Sequence, residues 1–319
     1  MGIREQAGFF RRASQEPVQL TFGPLNYYAP APSQDGKKLF AVGELQRGEL
    51  ARYDMKTQQW GSYLSGISAE HLDFSRDGAW VVYVDYPEGS LWRIKVDGRE
   101  RLQLTYPPMQ SVLPCWSPDG KQIVFTAKVP GKPWKTYLIS AEGGSPQQLT
   151  PEERTEIDPG WSPDGKTLVF GDSDAKTILL LNLSTRRIST LPGSEGLFSP
   201  RWSPDGRYIA ATPLGSWDKL LLFDFTTQKW TELAKQRAAW PQWSRDGKYI
   251  SFFSFPDNDP ALFRVRIGDR KLERLASMKG FRQAWGGTGP WIGWAPDDSP
   301  LALRDVGSQD IYALEWQTP

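Results

Sequence analysis

Short apolar stretches of period two recur along the chain, each directly after the same polar turn. Ile123 and Phe125, Leu168 and Phe170, and Ile250 and Phe252 stand two apart behind that turn. Period two puts one row of side chains on a buried face, so each stretch predicts a β-strand. The turn ahead is an Asp-Gly pair between apolar runs, the strongest short-range hairpin signal. Pro before Asp presets φ, and Gly accepts the positive φ. No segment sustains a 3.6-residue apolar period, so almost no helix is expected.

The turn is a repeat. Cys115-Trp116-Ser117-Pro118-Asp119-Gly120-Lys121 returns around Trp161, Trp202 and Trp243, with Arg245 in place of Pro in the last. Weaker copies are Phe74–Gly78, Ser33–Lys37 and Trp294–Asp298, the last without its glycine. The Asp falls at 35, 77, 119, 164, 205, 246 and 297, in steps of 42, 42, 45, 41, 41 and 51 residues. Seven units of this period read as the four-stranded blades of a propeller. In each unit strand a carries the Trp or Phe, and strand b follows the turn. A third strand is exemplified by Leu91–Val96 or Leu220–Phe225, and a fourth by Arg101–Thr105 or Gln147–Thr150.

The expected fold is therefore all-β: a single seven-bladed β-propeller of four-stranded antiparallel blades over residues 16–319. Residues 1–15 read as a tail or the remnant of a preceding module. The seventh unit has a strand from Trp291, Leu301–Leu303 and Asp310–Trp316, but no fourth strand. Pro17–Thr21 matches a fourth strand, and residues 16–22 are expected to pair with Asp310–Trp316 and close the ring. Gly8–Arg12 resembles a further third strand that competes for the same edge.

The unit Trp-Ser-Pro-Asp-Gly-Lys-x-Ile-x-Phe, ending in Leu-Thr, resembles the WD40-like (PD40) propeller repeat of the TolB type. It lacks the Trp-Asp dipeptide and structural His of true WD40 repeats. The best-known member of that family is a periplasmic six-bladed propeller that binds protein partners. Similar repeats stand as sensor domains on bacterial regulators. The resemblance implies a binding or scaffold module and points to an extracytoplasmic location. Seven units depart from the six-bladed count.

Charge and composition narrow the function. Thirty-eight basic and 37 acidic side chains leave a net charge of +1, against a nucleic-acid binder. No run approaches a membrane span, and Arg4, Glu5, Arg11 and Arg12 interrupt any signal-peptide core. One Cys and one His argue against a disulfide framework, a thiolate zinc site and most catalytic triads. No Gly-x-Ser-x-Gly elbow is present. No cofactor or metal is expected, and the chain reads as a monomer.

Several motifs read as scaffold. Gly160–Thr167 matches the P-loop pattern, but a strand follows where a helix is required. The repeated Asp fits a side chain bonded to turn amides, and the repeated aromatic a wedge between blades. Asp172-Ser173-Asp174 and Asp257-Asn258-Asp259 have calcium-like oxygens but sit in loops without further ligands. Asn182-Leu183-Ser184 is a glycosylation sequon at a strand end. Cys115 reads as a buried filler.

The variable positions are the informative ones. Six residues before each Asp stand Ala29, His71, Leu113, Asp158, Ser199, Trp240 and Trp291. They differ while the turn does not, which separates surface from scaffold. The residues ahead of strand a ring one mouth of a propeller. The candidate ligand-binding set is Tyr28, Glu70, His71, Asp158, Phe198, Arg201, Trp240, Trp285 and Trp291, with Trp134 and Trp217 adding to the rim. Aromatics with arginines are the composition of a binding hot spot. A protein or peptide is the expected guest, and a carbohydrate on Trp the second. The alternative is a propeller lactonase, lyase or glycosidase using Glu70, Asp73 or Asp158 at the axis.

Overall fold

The computed structural model describes residues 21–151, 154–255 and 258–315. Among these, strands dominate, and the one helical element is a 3-10 turn at Leu64–Gly66. The repeated turn forms as its chemistry predicts. In the unit at Asp119, Ser117 Oγ donates to Asp119 Oδ1 at 2.7 Å, the Lys121 amide donates to the same oxygen, and Ser117 Oγ accepts from the Gln122 amide at 2.9 Å. The same three bonds recur around Asp164, Asp205 and Asp246. These donors hold the Asp119, Asp164 and Asp246 carboxyls below their usual range, the side-chain bond from Ser leading at the first two and the lysine amide at Asp246. In the unit without glycine, Asp298 itself takes φ +62°.

Seven sheets carry the seven turns, as the unit count predicts, and all pairings are antiparallel. Six have four strands. Their inner strands are Ala69–Phe74, Gln110–Trp116, Glu156–Trp161, Leu197–Trp202, Ala239–Trp243 and Ile292–Trp294, and they contact one another in that order and back to the first. The ring around the axis thus closes through these six sheets. The sheet bearing the first turn has three strands, Asn26–Pro32, Lys38–Leu45 and Ser308–Glu315.

The N-terminal region does complete the last blade, through strands other than the expected ones. Gly48–Asp54 pairs with Pro300–Asp305, and Gln59–Ser62 pairs outside it. Arg52 seals the junction by donating from Nε to Ser299 Oγ at 2.7 Å and pairing with Asp297. The expected partner of that blade, Asp310–Trp316, is corrected: Ser308–Glu315 pairs with Lys38–Leu45 in the first sheet. Two two-residue connectors, 46–47 and 306–307, make the exchange side by side, joined by the Val306 amide on Arg47 O at 3.0 Å. Each connector could equally have closed a local hairpin. Gly48 lets the incoming strand lie against Leu303, where a Cβ would collide. Residues 16–20 and Gly8–Arg12 lie outside the described residues.

Apolar wedges fill the spaces between sheets. Leu50, Ala69, Val81, Tyr83, Trp291 and Leu301 form the cluster that welds the last blade to the Ala69–Phe74 blade. Burying Leu50, Val81 and Leu301 contributes about 1.5–3 kcal/mol each. The repeated aromatics reach across these seams: Trp161 Nε1 donates to Cys115 O at 3.2 Å, and Trp243 Nε1 to Arg201 O at 2.9 Å. Trp202 is half-buried and stacks on Phe225.

Candidate functional site

The variable positions six before each Asp share a backbone feature. Ala29, His71, Leu113, Asp158, Ser199 and Trp240 all have φ between +52° and +62°. Each sits where the first two strands of its sheet slip register, as between Glu70 and Asp73 or between Phe198 and Arg201. These are β-bulges, which re-aim side chains at the rims of barrels and next to sites. Left-handed φ is costly for Leu and Trp and concentrates where structure serves function. A signal for them lay in the sequence: Pro30, Pro114, Pro159, Pro200 and Pro241 follow five of the six. A proline inside a strand is confined to edges and bulges.

The bulges bring His71, Leu113, Asp158 and Trp240 to an axial channel of about 160 Å³, which Trp291, Asp73, Cys115, Arg201 and Gln242 also line. Asp158 is fixed there. Ser199 Oγ donates to its Oδ2 at 2.6 Å, and Arg201 Nη1 lies 2.8 Å from its Oδ1. Asp73 accepts from the Trp116 amide at 2.7 Å. Desolvation raises its carboxyl to about 6, while the bonds from Trp116 and Cys115 oppose the rise. Burial, then Asp73's charge, push the Cys115 thiol up, which leaves it protonated. His71 is lowered to about 3, first by desolvation and then by Arg201, so it is neutral. Among the described residues, no three His, Cys, Asp or Glu side chains group closely enough to hold a metal ion.

On the face opposite the Asp-Gly turns, the channel opens into an apolar pocket of about 300 Å³. Its walls are Trp134, Phe198, Trp217 and Trp240 with Leu113 and Leu214, and Asp158 and Ser199 reach its floor. Gly287 and Thr288 form one side. They belong to a short hairpin in which Trp285 pairs with Pro290 and Gly286 with Gly289. This hairpin accounts for extra length in the 51-residue step between the last two turns. Thr288 Oγ1 lies 2.9 Å from His71 Nε2, and Trp240 Nε1 donates to Pro290 O at 2.8 Å.

The structure sorts the candidate residues. It joins His71, Asp158, Arg201, Trp240 and Trp291 at the channel and adds Phe198 at the pocket. Trp291 is there mainly as core. Glu70 is buried beneath the hairpin. Trp285, 70% exposed, lines a separate depression with Tyr86, Arg282 and Asp305. Tyr28 lies on the three-stranded sheet and lines none of these cavities. Thr288 and the glycines of the hairpin were missed, and the long last step was their signal.

A larger depression of about 480 Å³ marks the other mouth, built from the repeated Trp, Ser and Pro residues of the turns. Ser117, Ser162, Ser203 and Ser244 already spend their hydroxyls inside those turns. That mouth is made of scaffold.

Comparison with known proteins fits this geometry. The sequence over residues 90–239 matches the profile of the TolB beta propeller domain. A putative TolB from Agrobacterium tumefaciens is similar in structure, at 20% identity and TM-score 0.65, over 82% of this chain and 98% of that one. TolB from Acinetobacter baumannii is similar at 19% identity and TM-score 0.56, over 89% and 81%. An oligogalacturonate lyase in complex with manganese follows at 15% identity and TM-score 0.55, over 88% and 96%. At these identities the likeness is one of fold alone. No curated protein matches the sequence. Among the described residues, no helix is long and apolar enough to cross a membrane.

Proposed function

We propose that this TolB-type propeller is a non-catalytic binding module whose funnel pocket accepts an apolar or aromatic side chain of a protein or peptide. The observation that carries the reading is the pocket of Trp134, Phe198, Trp217 and Trp240 above a fixed Asp158–Arg201 pair. Concave, mostly apolar sites with a few oriented polar groups are the usual form of a ligand site. Buried aromatics beside Arg are the residues that carry interface energy. The axial carboxylates favour binding over catalysis, because Asp158 is held by Ser199 and Arg201 and Asp73 by the Trp116 amide. The test is selection of peptides from a displayed random library. Binding of the selected peptides should fall at least tenfold in Trp217→Ala and Trp240→Ala, about 1.4 kcal/mol or more. Tyr28→Ala, on the three-stranded sheet away from the pocket, should leave it unchanged. Selected peptides that bind both pocket variants as tightly as the parent contradict the assignment.

A further inference from the structure

The hairpin Trp285–Pro290 covers Glu70 without giving it a partner. The Glu70 side chain is 7% exposed, and its Oε2 makes no hydrogen bond. Gly286 lies so close that a Cβ there would collide with both carboxylate oxygens. No charged group on the hairpin faces the carboxyl, since residues 285–290 read Trp-Gly-Gly-Thr-Gly-Pro. On its own strand, His71 Nε2 stands 3.8 Å from Glu70 Oε1, is neutral and has an unpartnered Nδ1. Tyr86 faces it from the neighbouring loop, and desolvation and then the Glu70 charge keep its hydroxyl protonated, with a value near 12. A carboxylate in such a place is strongly disfavoured unless it keeps its proton or meets water.

The hairpin itself is lightly held. None of its six residues is buried. Its polar ties are Thr288 to His71, Pro290 O to Trp240, and Trp285 O to the Tyr86 hydroxyl at 3.4 Å. Segments with few buried apolar contacts open at low cost.

We propose that this hairpin is a lid on the funnel pocket, closed over protonated Glu70 and released when Glu70 ionises. Gly287 and Thr288 wall the pocket, so lifting them widens it toward the channel. The consequence for ligand capture rests on the binding reading above; the motion does not.

Burial raises the Glu70 carboxyl from 4.5 to about 7. A raised carboxyl favours the closed form fully below 4.5, and the advantage is lost progressively as pH climbs to about 7. The opening constant should therefore rise up to about tenfold per pH unit across that window and then level off.

Amide hydrogen exchange of residues 286–289, corrected for intrinsic rates, measures the opening without any ligand. Protection should fall roughly 40-fold between about pH 5 and pH 7, while strand Tyr249–Ser254 shows no such change. Glu70→Gln should remove the pH dependence. Gly286→Ala, which pushes the hairpin off the carboxyl, should leave it unprotected at every pH. Protection that is flat with pH in the parent chain, a pH dependence that survives Glu70→Gln, or full protection in Gly286→Ala overturns the proposal. A normal lid response with peptide binding insensitive to Trp217→Ala and Trp240→Ala would instead remove the pocket assignment and leave the lid standing.

Discussion

Lys135 and Glu156 show how a single buried pair can hold a loop. Lys135 Nζ donates to Pro151 O, Arg154 O and Glu156 Oε1, and Thr150 Oγ1 donates to Glu156 Oε2 at 2.5 Å. Both charged side chains are almost fully buried. Their polar atoms are satisfied, so the pair persists, but it is not by itself a source of much stability. Removing one partner is different. Lys135→Met leaves a buried carboxylate alone and should cost about 3–5 kcal/mol. Lys135→Met with Glu156→Leu should recover much of that loss. Urea denaturation of the two variants checks both outcomes, and equal losses would contradict this account of the site. The pairing could not be read from the sequence, because a Lys and a Glu 21 positions apart carry no periodic signal.

At the scale of elements, the exchange of third strands is the feature the sequence concealed. Leu301–Leu303 and Asp310–Trp316 read as strands, but period and turn chemistry define strands, not their partners. The connectors at 46–47 and 306–307 are short enough for two hairpins, and tertiary packing sends both across. The observed register sets Ala51 opposite Ala302. Ala51→Cys with Ala302→Cys should therefore form a disulfide under oxidising conditions and stabilise the protein by roughly 2–4 kcal/mol. Peptide mapping by mass spectrometry detects the link. Its absence, with the two thiols free in the folded protein, would show that Gly48–Asp54 pairs elsewhere. The bulges were more legible: the five prolines inside strand a announce them, and the variable residues they carry are those the repeat comparison separated from the scaffold.

At the scale of the molecule, the propeller class followed from the repeated turn alone, and the six-sheet ring required knowing which strands meet. The candidate site was half legible. Variation against an invariant turn pointed to His71, Asp158 and Trp240, because one chain compares its own repeats. Glu70 under a glycine hairpin, and the remoteness of Trp285 and Tyr28, depend on loop conformation and could not be read. The two mouths of the ring remain chemically distinct, one scaffold and one variable. Oxidative footprinting of the propeller with a selected peptide tests the functional assignment most directly. The account predicts protection at Trp134, Phe198, Trp217 and Trp240, with Phe74, Trp116, Trp202 and Trp243 at the opposite mouth unchanged. Protection confined to those last four residues would contradict it.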